Sequence, residues 1–323
     1  VNPLGTDDVG QRVTVRALTG RLGPTGGPQF TDTVGRLVRV DEEHLAIERR
    51  DGSITHVERA AIVAAKRIPG RPRRSRPAHG VGADDLLRIT SRGWPAVHSE
   101  PLGEWELRAA GGFTGRANSA AVHGDPGLPF AEALKAIVAF AERHAIAPAA
   151  QVVVGSPWHG RFLDAGWEPL RTSRPGAIVQ VADIGAHEPD PAVTITSRAS
   201  EEWLARYGRV EDPAIARAVL EGPERVGFAT LEGSAIGRVV VTGEWAGLAA
   251  VEVDPAERRR GLARRLVTSC LAWAVGQGAD KAYLQVMRDN LPARQLYAPF
   301  GFATHHEYLY LQPPRIALPS AVE

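Results

Sequence analysis

Near the N-terminus, apolar and polar residues alternate in short runs: Arg12–Leu18, Thr33–Val40, His44–Glu48 and Ile54–Glu58. Alternation sends successive side chains to opposite faces and marks half-buried strands. Asp51-Gly52 separates the last two runs and is a hairpin turn signal. Four or five short strands within residues 1–68 predict a small SH3-like β-barrel. Lys66–Pro77 follows, all basic where charged and broken by Pro and Gly, and it predicts a linker over 69–83. From residue 84 the period changes. Trp105–Arg108 reads as a strand, and Pro129–His144 as a helix with Leu134, Ile137, Val138 and Ala141 on one face. Gln151–Val154 is a strand, Pro157–Ala165 a short helix, and Gly166-Trp167 comes next. A second break falls near Glu188–Pro191. The last third repeats the order: helix 259–277 with Leu262, Leu266, Cys270 and Trp273 at helical spacing, strand 281–286, helix 290–299, then Gly301-Phe302. Residues 84–190 are thus expected to be a degenerate copy of 191–315.

Composition narrows the class. The 323 residues carry a formal net charge of +1, so no global field recruits nucleic acid or an anionic membrane. The hydrophobic fraction of 44% suffices for ordinary cores in two or three domains. The single cysteine, Cys270, sits in a helical apolar stripe, which rules out a disulfide within the chain and a zinc site built on cysteines. No apolar run reaches membrane-spanning length and no basic-then-apolar leader is seen, so a soluble cytoplasmic protein is expected. Abundant Arg, Ala, Gly and Pro beside little Lys suggest a GC-rich bacterial genome.

The chemistry concentrates at Val251–Ala263, V-E-V-D-P-A-E-R-R-R-G-L-A. Strand alternation at Val251 and Val253 stops at Asp254-Pro255, and the apolar helix begins just after Gly261. A strand, a glycine turn and a helix N-terminus aim backbone N–H groups and the positive end of the helix dipole at one point, which suits a phosphate. Arg258, Arg259 and Arg260 can neutralise a diphosphate or a ribose phosphate. No Lys follows Gly261 as in a Walker loop, and the three glycines of a Rossmann fingerprint are missing. The turn resembles motif A of the GCN5-related N-acetyltransferases (GNATs), Gln/Arg-x-x-Gly-x-Gly/Ala, matched here by Arg258, Gly261 and Ala263. Asn290, Tyr297 and Gly301-Phe302 resemble motif B of the same family.

The three-part layout is similar to an actinobacterial type of GNAT, some members of which are described as N-acetylglutamate synthases. The resemblance implies an α/β (α+β) GNAT fold, tandem with a degenerate first half. It implies acetyl-CoA as cosubstrate, direct transfer to an amine, and no metal. Ser200–Tyr207 and Asp212–Leu220 would be the helices over the acceptor cleft, Arg225–Leu231 and Ser234–Val241 a hairpin turned at Glu232-Gly233, and Trp245–Val253 the strand feeding the loop. Cofactor contacts would come from Val251, Val253, Arg258, Arg259, Arg260, Gly261, Leu262, Ala263 and Asn290. Tyr297 would face the leaving thiolate. Glu252, sent by alternation to the face opposite its valine neighbours, is a candidate general base, with Glu244 a second. Asn118 and Arg288, together with Arg116, are candidates for binding an acidic acceptor such as glutamate. Adjacent His305 and His306 should point to opposite faces of a strand and so not share a metal. His123–Pro129 stands where the middle segment's phosphate loop should be and lacks the arginine-glycine turn, so no second cofactor is expected. A competing reading makes the barrel and basic linker a module for nucleic acid or a protein partner, with the C-terminal domain as an acetyl-CoA sensor. Nothing aromatic interleaves the linker's cations, which argues against base stacking.

Overall fold

The computed structural model describes residues 4–22, 26–68 and 76–314. Most of the basic linker, residues 69–75, lies outside the described residues. The N-terminal strands β1 (Arg12–Leu22), β2 (Pro28–Val40), β3 (His44–Glu48), β4 (Ile54–Glu58) and β5 (Ile62–Arg67) form one antiparallel sheet in the order β4-β3-β2-β1-β5. Its alternating apolar residues, Val13, Val15, Leu37, Leu45, Ile47 and Val57, close a small core. The β3–β4 turn uses Gly52 at φ +79°, where an L side chain is strained. The barrel is tied to the rest of the chain by a buried ion pair, Glu48 with Arg225. Glu48 Oε1 also accepts from the Gly243 N–H at 2.8 Å. Burial raises the Glu48 pKa, opposed by the Arg225 charge and the Gly243 hydrogen bond.

The remaining chain builds one large sheet. The middle segment contributes α1 (Ala83–Gly93), β6 (His98–Leu102), β7 (Trp105–Ala109), β8 (Ala120–Ala121), α2 (Phe130–Arg143), β9 (Ala150–Val153), α3 (Pro157–Asp164), β10 (Glu168–Pro169) and β11 (Gly176–Asp183). The C-terminal segment contributes β12 (Val193–Thr196), α4 (Glu201–Tyr207), α5 (Pro213–Leu220), β13 (Val226–Leu231), β14 (Ala235–Thr242), β15 (Trp245–Val253), α6 (Leu262–Gly276), β16 (Lys281–Val286), α7 (Leu291–Tyr297) and β17 (Ala303–Gln312). The strand order is β12-β13-β14-β15-β16-β11-β17-β9-β8-β7-β6, with β10 added on β17.

This order is symmetric about the antiparallel pair β11–β17. Outward on one side come β16, β15, β14 and β13, and on the other β9, β8, β7 and β6. Both β15–β16 and β8–β9 are parallel pairs, and each is joined by a crossover helix, α6 or α2. Both halves carry an outer hairpin, β13–β14 and β6–β7, and β12 adds one further strand outside β13. The middle segment is therefore a second, reduced copy of the same fold. The final strands are exchanged: β11 ends the middle segment but pairs with β16, and β17 ends the C-terminal segment but pairs with β9.

Sequence reading found neither β11 nor α1. Residues 176–182 are all buried, and a central strand covered on both faces carries no alternation. Helix α1 lays Leu86 on Tyr283, Trp245 and Tyr308, on the sheet face opposite α6. On the other face Leu266, Cys270 and Ala274 of α6 are fully buried against β14, β15 and β16. Truncating Leu266 to Ala there would cost about 2–5 kcal/mol. Helix α6 stops as expected: Gln277 is its C-cap and Gly278 follows at φ +90°. Short helices α4 and α5 begin at Ser200 and Asp212, whose side chains accept from the N–H groups of Trp203 and of Ala214 and Ile215. Among the described residues, no helix is long and apolar enough to cross a membrane.

Candidate active site

Strand β15 separates from β16 halfway along its length. The two pair from Trp245↔Lys281 to Leu248↔Leu284 and no further. Just past that point Ala250 adopts φ +53°, and the β14 register shifts between Ile236 and Arg238. This bulge bends β15 outward. The backbone groups of 249–253 on the β16 side are left without a strand partner, so they are available to an extended ligand and to a developing oxyanion. Val251 and Val253 pack towards α6. Glu252 projects to the other face, as alternation requires, where its carboxylate pairs with Arg209 at 2.6 Å.

The loop that follows has the geometry of an anion cradle. Arg259 (φ +64°) and Gly261 (φ +80°) both take left-handed backbone, and Gly261 is the N-cap of α6. No side chain caps this helix, and the first hydrogen bond into it runs from Arg265 N to Gly261 O at 3.1 Å. The N–H groups of Leu262, Ala263 and Arg264 therefore lack an intrahelical acceptor. A Cβ built on Gly261 would meet no atom within 4 Å, so the space above the turn is open. Arg258 folds back to donate to Val253 O at 3.3 Å, and Arg260 pairs with Glu257. Asp254 accepts from Ala256 N and pairs with Arg206, and both contacts hold its carboxyl below the usual range. Open N–H groups, a helix N-terminus and three exposed arginines fit the diphosphate of acetyl-CoA. The unpaired edge of β15 fits its extended arm.

Motif B lands beside this site. Asn290 is the N-cap of α7, accepting from Ala293 N at 3.1 Å. Tyr297 is 7% exposed and sits edge-on to Phe302. Burial, then the nearby Cys270 and Glu252, raise its pKa well above the usual phenol value. Tyr297 therefore stays protonated at neutral pH and remains a hydrogen-bond donor. Glu244 lies at the opposite end of β15, paired with Lys281 at 2.7 Å.

The face opposite α6 is completed by the middle segment. Arg116 lies 4.0 Å over the Trp94 ring and reaches Gln285 of β16 at 3.5 Å. Gln285 also accepts from Tyr308 Oη at 2.8 Å. Behind them are two fully buried arginines. Arg108 donates to Ser91, Ser119 and Gln151. Arg238 donates to the carbonyls of Leu220 and Gly93, and its Nη2 has no hydrogen-bond partner. Burial lowers the pKa of Arg238 to about 10, a value at which it is still charged near neutrality. No salt bridge joins Arg108, Arg116 or Arg238 to a described carboxylate.

Two expected acceptor contacts are not offered by the geometry. Asn118 accepts from Ala110 N and Gly112 N and donates to the carbonyls of Phe113 and Thr114. An amide has no further capacity, so Asn118 shapes the loop that carries Arg116 and presents nothing to a ligand. Arg288 is paired with Glu307 on the surface. The histidines also depart from expectation. A bulge in β17, where Val179 faces His306 and Gln180 faces Thr304, brings the rings of His305 and His306 together, with 2.7 Å between their Nδ1 atoms. Burial and then His305 depress the His306 pKa to about 4. No metal-holding group of His, Cys, Asp or Glu occurs among the described residues. Arg116 is among the sequence candidates, but its partner Gln285 lies 169 residues away in the chain, and nothing in the sequence marks Arg108 and Arg238 as buried.

The corresponding loop of the middle segment is already filled. Gly124 N donates to Asp84, Asp125 N to Glu104 and Gly127 N to Asp125. Internal carboxylates occupy donors that a phosphate would need.

Comparison with known proteins agrees with this geometry. Residues 85–311 match the family described as "Probable histone acetyltransferase Rv0428c C-terminal", and residues 7–66 match "Rv0428c N-terminal Sm-like domain". The expected SH3-like barrel is thus an Sm-like one. YobR, an uncharacterized N-acetyltransferase of Bacillus subtilis (strain 168), is 26% identical over 249 residues, 70% of this chain and 96% of YobR. A mycothiol acetyltransferase of Nocardioides sp. (strain ATCC BAA-499 / JS614) is 31% identical over 139 residues, 38% of this chain and 45% of that protein. A GCN5-related N-acetyltransferase from Kribbella flavida, 17% identical, superposes with a TM-score of 0.52 over 72% of this chain and 95% of that one. The chain is an acetyltransferase that uses acetyl-CoA, and it belongs to the Rv0428c C-terminal family within the GNAT superfamily.

Proposed function

We propose that this enzyme acetylates the amine of a small acceptor that carries an acidic group, by direct attack in a ternary complex. The observation that supports this reading is Arg116 on the acceptor face, backed by the fully buried Arg108 and Arg238, with no salt bridge from any of the three to a described carboxylate. Buried cations without counter-ions are costly and favour an anionic guest. The same charge disfavours an ammonium, so a bound amine loses its proton more readily. A lysine-rich protein tail would be repelled. Glutamate is the simplest acceptor of this class.

In this reading the barrel (1–68) is an accessory module joined through 69–83, residues 84–190 wall the acceptor side, and 191–315 carry the cosubstrate. Open N–H groups of 249–253 stabilise the oxyanion. Glu252 takes the amine proton, directly or through water, while Arg209 orients its carboxylate. Tyr297 donates a hydrogen bond to the departing thiolate. Val251, Val253 and Asn290 contact the extended arm, and Arg258, Arg259, Arg260, Gly261, Leu262 and Ala263 hold the phosphates.

The test is a panel of glutamate, aspartate, their amides, lysine, polyamines and basic peptides, assayed for CoA release. Acidic amines should lead it. Arg116→Gln should raise their KM while leaving acetyl-CoA affinity unchanged. Preferred turnover of polyamines or peptides, with Arg116→Gln neutral, would overturn the acidic acceptor. Salt-dependent retention on DNA without any turnover would favour a binding module instead.

A further inference from the structure

A second concave site lies where three parts of the molecule meet, away from the phosphate loop. It is a cavity of about 370 Å³, within the range of sites that hold small metabolites. The β3–β4 turn of the barrel contributes Arg50 and Asp51, helix α1 contributes Asp85, Arg88 and Arg92, and the β14–β15 turn with the start of β16 contributes Glu244, Trp245 and Lys281. Arg76 completes one wall.

The charges in this cavity are unevenly matched. Each acidic side chain already has a hydrogen-bonding partner. Asp51 accepts from Ser53, which together with the Arg92 charge holds its carboxyl low. Asp85 pairs with Arg88, which also reaches Glu104 at 2.9 Å. Glu244 pairs with Lys281, which is itself 2% exposed, also lies 3.5 Å from Asp280 and sits 5.7 Å above the Trp245 ring. Arg50 and Arg92 are exposed and form no described salt bridge. A Cβ on Gly52 would come within 3.5 Å of Arg92 Nε, so the barrel turn and α1 meet at the rim.

We propose that this junction binds a small phosphate-bearing metabolite, with Arg50 and Arg92 as its principal ligands. Forked guanidiniums from two separate elements match a multiply charged phosphate. The cavity is bounded by folded walls, which suits a compact ligand better than a polynucleotide. Occupancy would latch the barrel turn to α1 and to the β14–β15 turn. The site is independent of the acetyl-transfer reading.

Inorganic diphosphate serves as the probe, titrated calorimetrically into the full chain with CoA present at saturation to mask the phosphate loop. Wild type should bind it, and Arg50→Ala/Arg92→Ala should weaken binding at least tenfold with acetyl-CoA affinity unchanged. Arg92→Gln alone, at an exposed position, should weaken it less. Gly261→Asp should leave it intact. Bound diphosphate should slow hydrogen exchange in residues 49–53. The proposal is overturned if wild type takes up no diphosphate at millimolar concentration, or if the double variant binds as well as wild type. Tight oligonucleotide capture that diphosphate does not displace would likewise overturn it.

Discussion

The two halves of the large sheet share an element order and differ in what surrounds one turn. In the C-terminal half β15 runs nine residues, bends at Ala250 and opens into Arg258–Ala263. In the middle half the equivalent β8 is two residues long and leads to His123–Pro129, where the N–H groups of Gly124, Asp125 and Gly127 are held by Asp84, Glu104 and Asp125. The same topology therefore makes an anion cradle in one place and a closed turn in the other. What separates the two halves is which turn donors are left unfilled and the length of one strand, while the order of their elements is shared.

The seam between the halves gives the largest expected effect. Val179 of β11 is 2% exposed and stands between β16 and β17. Val179→Asp buries an unpaired carboxylate and should cost at least about 4 kcal/mol, unfolding both halves in one transition. Separate melting of the halves by calorimetry would show that the strand exchange does not couple them.

Chemistry comes next. Tyr297→Phe should reduce turnover about 10²-fold with little change in acetyl-CoA affinity. Turnover kept within twofold would reduce Tyr297 to a packing residue.

The turns themselves can be set against each other. Gly261→Asp places a carboxylate and a strained φ in the open cradle and should weaken acetyl-CoA binding at least tenfold, about 1.4 kcal/mol. Gly127→Asp, at φ +69° in the middle half, should leave affinity unchanged, and titration should give one site per chain. Loss of binding on changing Gly127, or two sites, would erase the distinction between the halves.

The smallest effect belongs to the bulge of β17, which β11 does not share. The folded pKa of His306, about 4, lies below the ordinary histidine value of 6.5. The unfolded chain therefore binds the extra proton first, so this stability is present above about 6.5 and is lost as pH falls towards 4. Because the ring is partly exposed, the loss should be on the order of 1 kcal/mol. Denaturant midpoints between pH 7 and pH 4.5 should fall less in His306→Gln than in wild type.

Local signals in the sequence determined much of this protein. Alternation gave the barrel strands and helical spacing gave α2 and α6, because each rests on neighbours within a turn or a strand, whereas α4 and α5 were expected only from the family resemblance. The loop at 258–263 was legible for the same reason: its chemistry is its own backbone. Tertiary structure alone decided the rest. Strand β11 has no alternation because both faces are covered, and its partners Leu284 and Glu307 are over a hundred residues away from the strand's own position. The fate of Asn118 depended on which carbonyls its loop brought round, and that of Arg116 on an exchange of strands that set it against Gln285. The Glu48–Arg225 pair holding the barrel joins residues with nothing between them in the chain to announce it. Periodicity reports how a segment meets its core, whereas a site assembled from distant segments exists only once the sheet has closed.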